Sequence, residues 1–465
     1  MLYEGRCAMT EFPPDRFNID AFYDKENSGT GTLPLRGGHF LKEDLGAFDA
    51  PFFSVTPAEA VAMDPQQRIM LETSYHALEN AGLTIDKCSG SKTSVYTATF
   101  TDDYKSMLQQ ETEQLPKYAA TGLSGSMLAN RVSWFFNLRG PSMNLDSACS
   151  SSLSALHIAC QDLLNGTSKM ALVGGCNLVF HPDFMLIMSN MSFMSPDSRC
   201  WSFDHRANGY ARGDGFGVVV LKKLSDALQD GDTIRAVIRA TGLNQDGRTT
   251  GGITQPNGEA QQLLINETFT RANLDMAPVR FFEAHGTGTA LGDPTEAKAI
   301  GNSFRSFRSA EEPLIVGAVK SNIGHLEGGS GIAGLIKTVM ILERGIILPN
   351  TGLEQVNPRI DTQNLRIHFP TRPMQWPSLG LRRACVSSTS SLDTNLTIYK
   401  VNSFGFGGSN AVVIVDDALH FLKAHRLHGH HRTIDLCLQK SIGEMNGTKE
   451  TNGFYKPVEQ KSERD

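Results

Sequence analysis

MNLDSACSSSLSALHIACQDLLNG, residues 143–166, decides the fold. Met143 to Asp146 is a short strand-like run. In the segment after it Leu153, Leu156, Ala159, Cys160 and Leu163 share one helical face, and Gly166 marks the end. Cys149 stands at the join, within Asp146-Ser147-Ala148-Cys149-Ser150-Ser151-Ser152-Leu153. A thiol at a helix amino terminus faces unpaired N–H groups and the positive end of the dipole, so the position predicts a lowered pKa and a thiolate. That setting also predicts the most reactive thiol of the chain. The small neighbours leave room for a substrate. The competing reading is a buried structural cysteine, and position alone does not separate the two.

Strands and helices alternate on either side. Asp64-Pro65 opens a helix with Ile69, Leu71, Tyr75, Leu78 and Ala81 on its apolar face, SVYTATF (94–100) reads as a strand, and MLANRVSWFF (127–136) as a helix. ALVGGCNLVF (171–180) reads as a strand pair or a strand with a turn, and GFGVVVLKKL (215–224) and TIRAVIRATGLNQDG (233–247) as strands. The rhythm then repeats: helices over 258–273, 293–304 and 329–345, strands over 279–286 and 313–321, and a last strand ending NSFGFGGSNAVVIVDD (402–417). No buried strand is expected before residue 90. Two similar halves of this kind predict a layered α/β/α duplication.

The 465 residues carry 43 Lys+Arg against 49 Asp+Glu, a net charge of −6, which demands no broad basic face and argues against nucleic acid as a partner. No apolar run approaches the ~20 residues of a membrane span, and the acid-bearing MLYEGRCAMTEF does not read as a signal peptide. The eight cysteines contain no CxxC pair and read as reduced thiols. The expectation is a cytoplasmic enzyme with no membrane partner.

Two histidines join Cys149. His285 enters Gly286-Thr287-Gly288-Thr289, with Asp293 and Glu296 following; His325 lies in Lys320-Ser321-Asn322-Ile323-Gly324-His325-Leu326-Glu327-Gly328-Gly329. Each occupies a glycine-rich loop after a strand, where open α/β sheets gather ligands. A Cys-His-His set suits thioester chemistry. Asn402-Ser403-Phe404-Gly405-Phe406-Gly407-Gly408-Ser409-Asn410 is either a tight turn or a backbone able to present N–H groups to an oxyanion. GxGxxG at Gly329, Gly331 and Gly334 does not immediately follow a strand and is not read as a dinucleotide site. The histidines at 420, 425, 428, 430 and 431 are too irregular for a metal site.

MDPQQRIMLETSYHALENAG (63–82), DSACSSSL, HGTGTALGDPTEA, KSNIGHLEGGSG, PDSRCWSFDHRANGYARGDGFGVVVLKKL (196–224) and NSFGFGGSNA together resemble the ketosynthase (β-ketoacyl synthase) domain of fungal highly reducing type I polyketide synthases, over about residues 1–418. The resemblance implies a thiolase-like fold of two βαβαβαββ halves, 1–240 with the nucleophile and 241–418 with the histidine loops. A post-ketosynthase linker and disordered tail would occupy 419–465. It implies decarboxylative Claisen condensation: Cys149 accepts the acyl chain, and His285 and His325 donate N–H to the enolate oxygen formed when a malonyl thioester loses CO2. Lys320 and Glu296 match supporting positions, the N–H groups of Cys149 and Phe406 match the oxyanion hole, and Phe404 and Gly405 lie on the gating loop. No bound cofactor or metal is implied. Substrates ride on the phosphopantetheine of an acyl carrier protein, supplied in trans or by a part of the synthase not in this chain, and the family implies a homodimer.

Three departures accompany the resemblance. The family's glycine-rich first strand is missing from the start, which predicts loss of a central strand from the first half and a marginal fold. CVSSTSSLDTNLTIYK (385–400) reads as a surface insertion whose deletion matters less. Val412 replaces a histidine of the last motif. The rival readings are a catalytically silent ketosynthase-like scaffold and a degradative thiolase, the second disfavoured because thiolases pair their nucleophile with another cysteine.

Overall fold

The computed structural model describes residues 1–111, 113, 115–390 and 407–427, with the backbone of 432–433. Four strands form the first sheet: β1 (Thr93–Ala98), β2 (Ser142–Leu145), β3 (Met170–Asn177) and β4 (Gly215–Lys222), in the order β2-β1-β3-β4. β1 is parallel to β2 and β3, while β4 is antiparallel to β3. The second sheet holds β5 (Ala236–Gln245), β6 (Val279–Glu283), β7 (Leu314–Gly317), β8 (Ile367–His368), β9 (Arg383–Thr389) and β10 (Ser409–Asp417), in the order β8-β7-β6-β9-β10-β5. Its β7-β6-β9-β10 core repeats the parallel, parallel, antiparallel pattern of the first sheet. The expected duplication is present.

Among the helices of the two halves, those that frame the sheets and the site are α1 (Pro65–Asn80), α2 (Met127–Phe135), α3 (Ser151–Asn165), α4 (Gly258–Arg271), α5 (Gly292–Phe304), the single turn α6 (Lys320–Ile323) and α7 (Ser330–Arg344). The caps follow from sequence. Asp64 accepts from the Gln66 N–H ahead of α1, Asn257 accepts from Glu259 and Ala260 N–H at α4, and α3 ends on left-handed Gly166.

Strand alternation sorts side chains into layers. Ala171 and Val173 of β3, with Val413 and Val415 of β10, join Leu153, Leu156 and Leu163 of α3 and Ile332, Leu335 and Leu342 of α7 in one buried cluster. α3 and α7 are thus a shared middle layer between the sheets. Met170 and Leu172 point the other way, onto α1 and α2; Val412 and Ile414 point onto α4 and α5. Strands covered on both faces read as continuous apolar runs, as ALVGGCN and NAVVIV do. Each fully buried Leu, Ile or Val contributes about 1.5–3 kcal/mol. Gly331 explains the GxGxxG coincidence: an added Cβ there would lie 2.5 Å from Leu153 Cγ, so the residue serves close packing of α7 on α3.

At 171–180 the reading of one strand with a turn holds, as β3. Two expectations change. The first sheet has no gap at its centre: β1 pairs directly with β3, and the second-sheet strands without a first-sheet counterpart are β8 and β5, at its two edges. Among the described residues β4 accordingly has a ladder on one side only. A cavity of about 880 Å³ follows it, lined by Val220, Leu221, Ala236, Ile238 and Cys160 among others. Residues 385–389 are not a surface insertion: within β9 all five pair with β10 and Cys385 and Val386 also pair with β6, so they cannot be removed without parting those strands. Residues 391–406 lie outside the described residues. β5, which spans residue 240, pairs with β10 in the second sheet.

The segment after β10 forms α8 (Ala418–Ala424), whose Phe421 and Leu422 pack with Ile234 and Val237; the rest of the tail, from 428 on, lies outside the described residues except for the backbone of 432–433.

A buried ion pair ties the layers together. Lys337 Nζ of α7 lies 2.6 Å from Glu283 Oε2 of β6, with side chains 2% and 1% exposed, and Glu283 Oε1 accepts the Val319 N–H at 2.6 Å. Lys337→Met leaves a buried carboxylate without its cation and is expected to cost about 3–5 kcal/mol, read as a lowered urea midpoint with unchanged slope.

Candidate active site

Cys149 lies between β2 and α3 with no solvent exposure. The turn before it is strained: Ala148 has φ 53°, costly for a residue with a Cβ, and its N–H donates to Asp146 Oδ1 at 2.9 Å. Ser388 Oγ of β9 donates to the Cys149 carbonyl at 2.8 Å, anchoring the nucleophile segment to the second sheet.

α5 holds the first histidine loop. Glu296 Oε1 and Oε2 accept the N–H groups of His285 (2.7 Å) and Gly286 (2.9 Å), and Ser387 Oγ donates to Glu296 at 2.7 Å. Asp293 Oδ1 accepts from Gly288 N–H at 3.0 Å. Gly288 has φ 81°, and a Cβ there would meet the Trp201 nitrogen at 2.5 Å, so only glycine fits. Lys320 of α6 donates to the His285 carbonyl at 2.7 Å and stands 3.3 Å from His285 Nδ1.

The two imidazoles meet edge to face, with ring centroids 5.4 Å apart. The Cys149 sulfur and one ring nitrogen of each histidine lie within 4.8 Å of one another. The hydrogen-bond network assigns the tautomers. His325 Nδ1 accepts the Glu327 N–H at 2.8 Å, and His285 Nδ1 faces the Lys320 ammonium, which can only donate. Each proton therefore sits on Nε2, and both Nε2 atoms are buried without a protein partner. Burial, then the Lys320 charge, pushes both histidines well below their usual pKa, so both are neutral. Two neutral N–H donors thus stand beside the thiol, the arrangement that stabilises a developing oxyanion.

The thiol itself departs from expectation. Burial, followed by the Glu327 charge, pushes the Cys149 pKa well above its ordinary value, against the lowering by Lys320 and by the backbone hydrogen bond. The helix start acts in the expected direction, but desolvation outweighs it. Resting Cys149 is a buried thiol, so fastest labelling by alkylating reagents is no longer expected of it.

The structure brings together Cys149, His285, His325, Lys320 and Glu296. The N–H of Phe406, with Phe404 and Gly405, lies outside the described residues. Sequence reasoning passed over Glu327, Tyr210, Arg212, Asp103 and Ser388. Arg212 donates to Asp103 Oδ2 at 3.1 Å, and its Nε stands 3.4 Å from Glu327 Oε1. The Tyr210 ring packs on His325 at 4.8 Å. All but Asp103 and Ser388 occur in quoted motifs, yet nothing local marked them as site residues.

Comparisons with known proteins agree with this geometry. The family models described as Beta-ketoacyl synthase, N-terminal domain and C-terminal domain match residues 1–227 and 235–354. The chain is 53% identical to the reducing polyketide synthase FUB1 of Gibberella moniliformis over 93% of its own length, and 50% identical to the highly reducing polyketide synthase alnA of Emericella nidulans over 93%. It spans only 17% of each of these relatives. Among solved structures, the oxazolomycin ketosynthase domain OzmH KS7 of Streptomyces albus JA3453 superposes with a TM-score of 0.82 at 36% identity, covering 90% of this chain and 72% of that one. The ketosynthase from module 6 of the bacillaene synthase of Bacillus subtilis 168 gives 0.79 at 33%, covering 90% and 68%. The described helices include none long and apolar enough to cross a membrane.

Proposed function

Since the chain belongs to the β-ketoacyl synthase family, as a ketosynthase of the polyketide synthase kind, we propose that it performs decarboxylative Claisen condensation with Cys149 as the acyl carrier. The observation that carries the reading is the meeting of one buried sulfur and two histidine nitrogens within 4.8 Å. Acyl transfer onto Cys149 Sγ releases the donor thiol. A malonyl thioester then loses CO2, and the enolate oxygen takes hydrogen bonds from the Nε2–H groups of His285 and His325. The enolate carbon attacks the acyl carbonyl, the Sγ–C bond breaks, and a 3-oxoacyl thioester leaves.

Lys320 is a positioning residue that holds His285 in its donor tautomer, and Glu296 holds the loop backbone beneath it. Phe404, Gly405 and Phe406 are proposed for gating and, with the Cys149 N–H, for the oxyanion hole. The substrates are proposed to arrive on the phosphopantetheine arm of an acyl carrier protein. The acting form is proposed to be a homodimer in the cytoplasm, each chain built of two halves that part near residue 240. A degradative thiolase reading is not supported: among the described residues the cluster contains one cysteine and two histidines. The intact cluster likewise gives the silent-scaffold reading no support.

Purified chain given a short acyl thioester and malonyl N-acetylcysteamine thioester should yield one CO2 per 3-oxoacyl thioester. Neither product forming, in a folded chain, would overturn the reading.

A further inference from the structure

Both active-site histidines carry their proton on Nε2, the nitrogen without a protein partner, so neither offers a lone pair to the Cys149 thiol. The thiol proton still has to go somewhere when an acyl group is loaded. Glu327 Oε2 lies 3.8 Å from Cys149 Sγ, in hydrogen-bond contact with the S–H. Its carboxyl is fully buried, and its other oxygen, Oε1, pairs with Arg212 Nε at 3.4 Å. The two terminal nitrogens of Arg212 are committed to Asp103 at 3.1 and 3.4 Å. Oε2 is thus left facing the thiol.

We propose that Glu327 is the proton acceptor for the Cys149 thiol during acyl loading. The inference rests on the reading of Cys149 as the acylated residue. The step balances without another reactant. The Cys149 S–H bond breaks as its proton passes to the Glu327 carboxylate, and the sulfur's electron pair forms the Sγ–C bond to the acyl carbonyl. The C–S bond to the donor thiol breaks, and the departing thiolate takes the proton back from the Glu327 carboxylic acid. The groups facing the carboxyl are Arg212, Tyr210, Cys149 and His325, with Asp103 behind Arg212. Burial raises Glu327 to about 7 against the pull of Arg212, which poises it to accept and return a proton near neutrality.

The test is single-turnover loading from an acyl N-acetylcysteamine thioester between about pH 5.5 and 9, in the full chain and in Glu327→Gln. Glutamine keeps the shape and the backbone N–H that holds His325. The parent rate should rise with pH and level off above about 7, since only the carboxylate accepts a proton. In Glu327→Gln this limb should vanish, and loading at pH 8 should fall about 10²–10³-fold. The gap should narrow at higher pH as the thiol ionises unaided. A variant that loads within about threefold of the parent overturns the proposal. So does one slowed by the same factor at every pH with the limb intact, the mark of a structural role. Should the variant not fold, a parent profile flat between about pH 6 and 8 is sufficient to overturn it. A folded parent that never acylates Cys149 removes the reading beneath the proposal, and the proposal with it.

Discussion

Cys149→Ala is expected to lower acyl loading on the order of 10⁶-fold, to the uncatalysed background, as loss of a nucleophile that acts as a unit with its partners does. The substitution removes one sulfur atom. The strained turn at Ala148 and the Ser388 bond to the residue-149 carbonyl are untouched, so the loss is chemical rather than structural. Among the described residues no other thiol joins the cluster of His285 and His325, so none is placed to substitute. Intact-protein mass spectrometry after exposure to an acyl thioester measures the effect. A variant that still gained a stoichiometric acyl group would remove Cys149 from the mechanism.

His285→Ala and His325→Ala are each expected to slow CO2 release from a malonyl thioester about 10²–10³-fold, the usual consequence of removing one preorganised donor to an oxyanion. Loading of Cys149 should suffer less, because neither Nε2–H accepts the thiol proton. The pH dependence separates this role from base catalysis. Both imidazoles are held well below their usual pKa by burial and the Lys320 charge, so neither should titrate in the CO2-release profile near neutrality. A decarboxylation limb at the ordinary histidine pKa, lost in either variant, would contradict the donor assignment.

What was legible in the sequence is what local pattern encodes. The strand-to-helix join at Cys149 and the glycine loops after β6 and β7 announce themselves within about ten residues, and their positions survive in the structure. β9 did not announce itself. CVSST lacks alternation of apolar and polar residues because both of its faces are covered and its serines are occupied, Ser387 on Glu296 and Ser388 on the Cys149 carbonyl. Arg212, Asp103 and Glu327 were invisible for a different reason: Arg212 is 109 positions from Asp103, and Cys149 is 178 from Glu327, so only the folded packing makes them neighbours. The direction of the Cys149 pKa was misread on the same ground. The helix dipole is a local feature of sequence, whereas the burial that overrides it is contributed by both halves.

The most direct test of the account is to locate the acyl group and then discharge it. The chain is incubated with a short acyl N-acetylcysteamine thioester, sampled for peptide mass mapping, and then given the malonyl thioester. The account predicts a single acyl adduct on the peptide bearing Cys149, lost on malonyl addition with one CO2 and one 3-oxoacyl thioester per adduct. An adduct on another cysteine, or a Cys149 adduct that persists while CO2 is released, would contradict it.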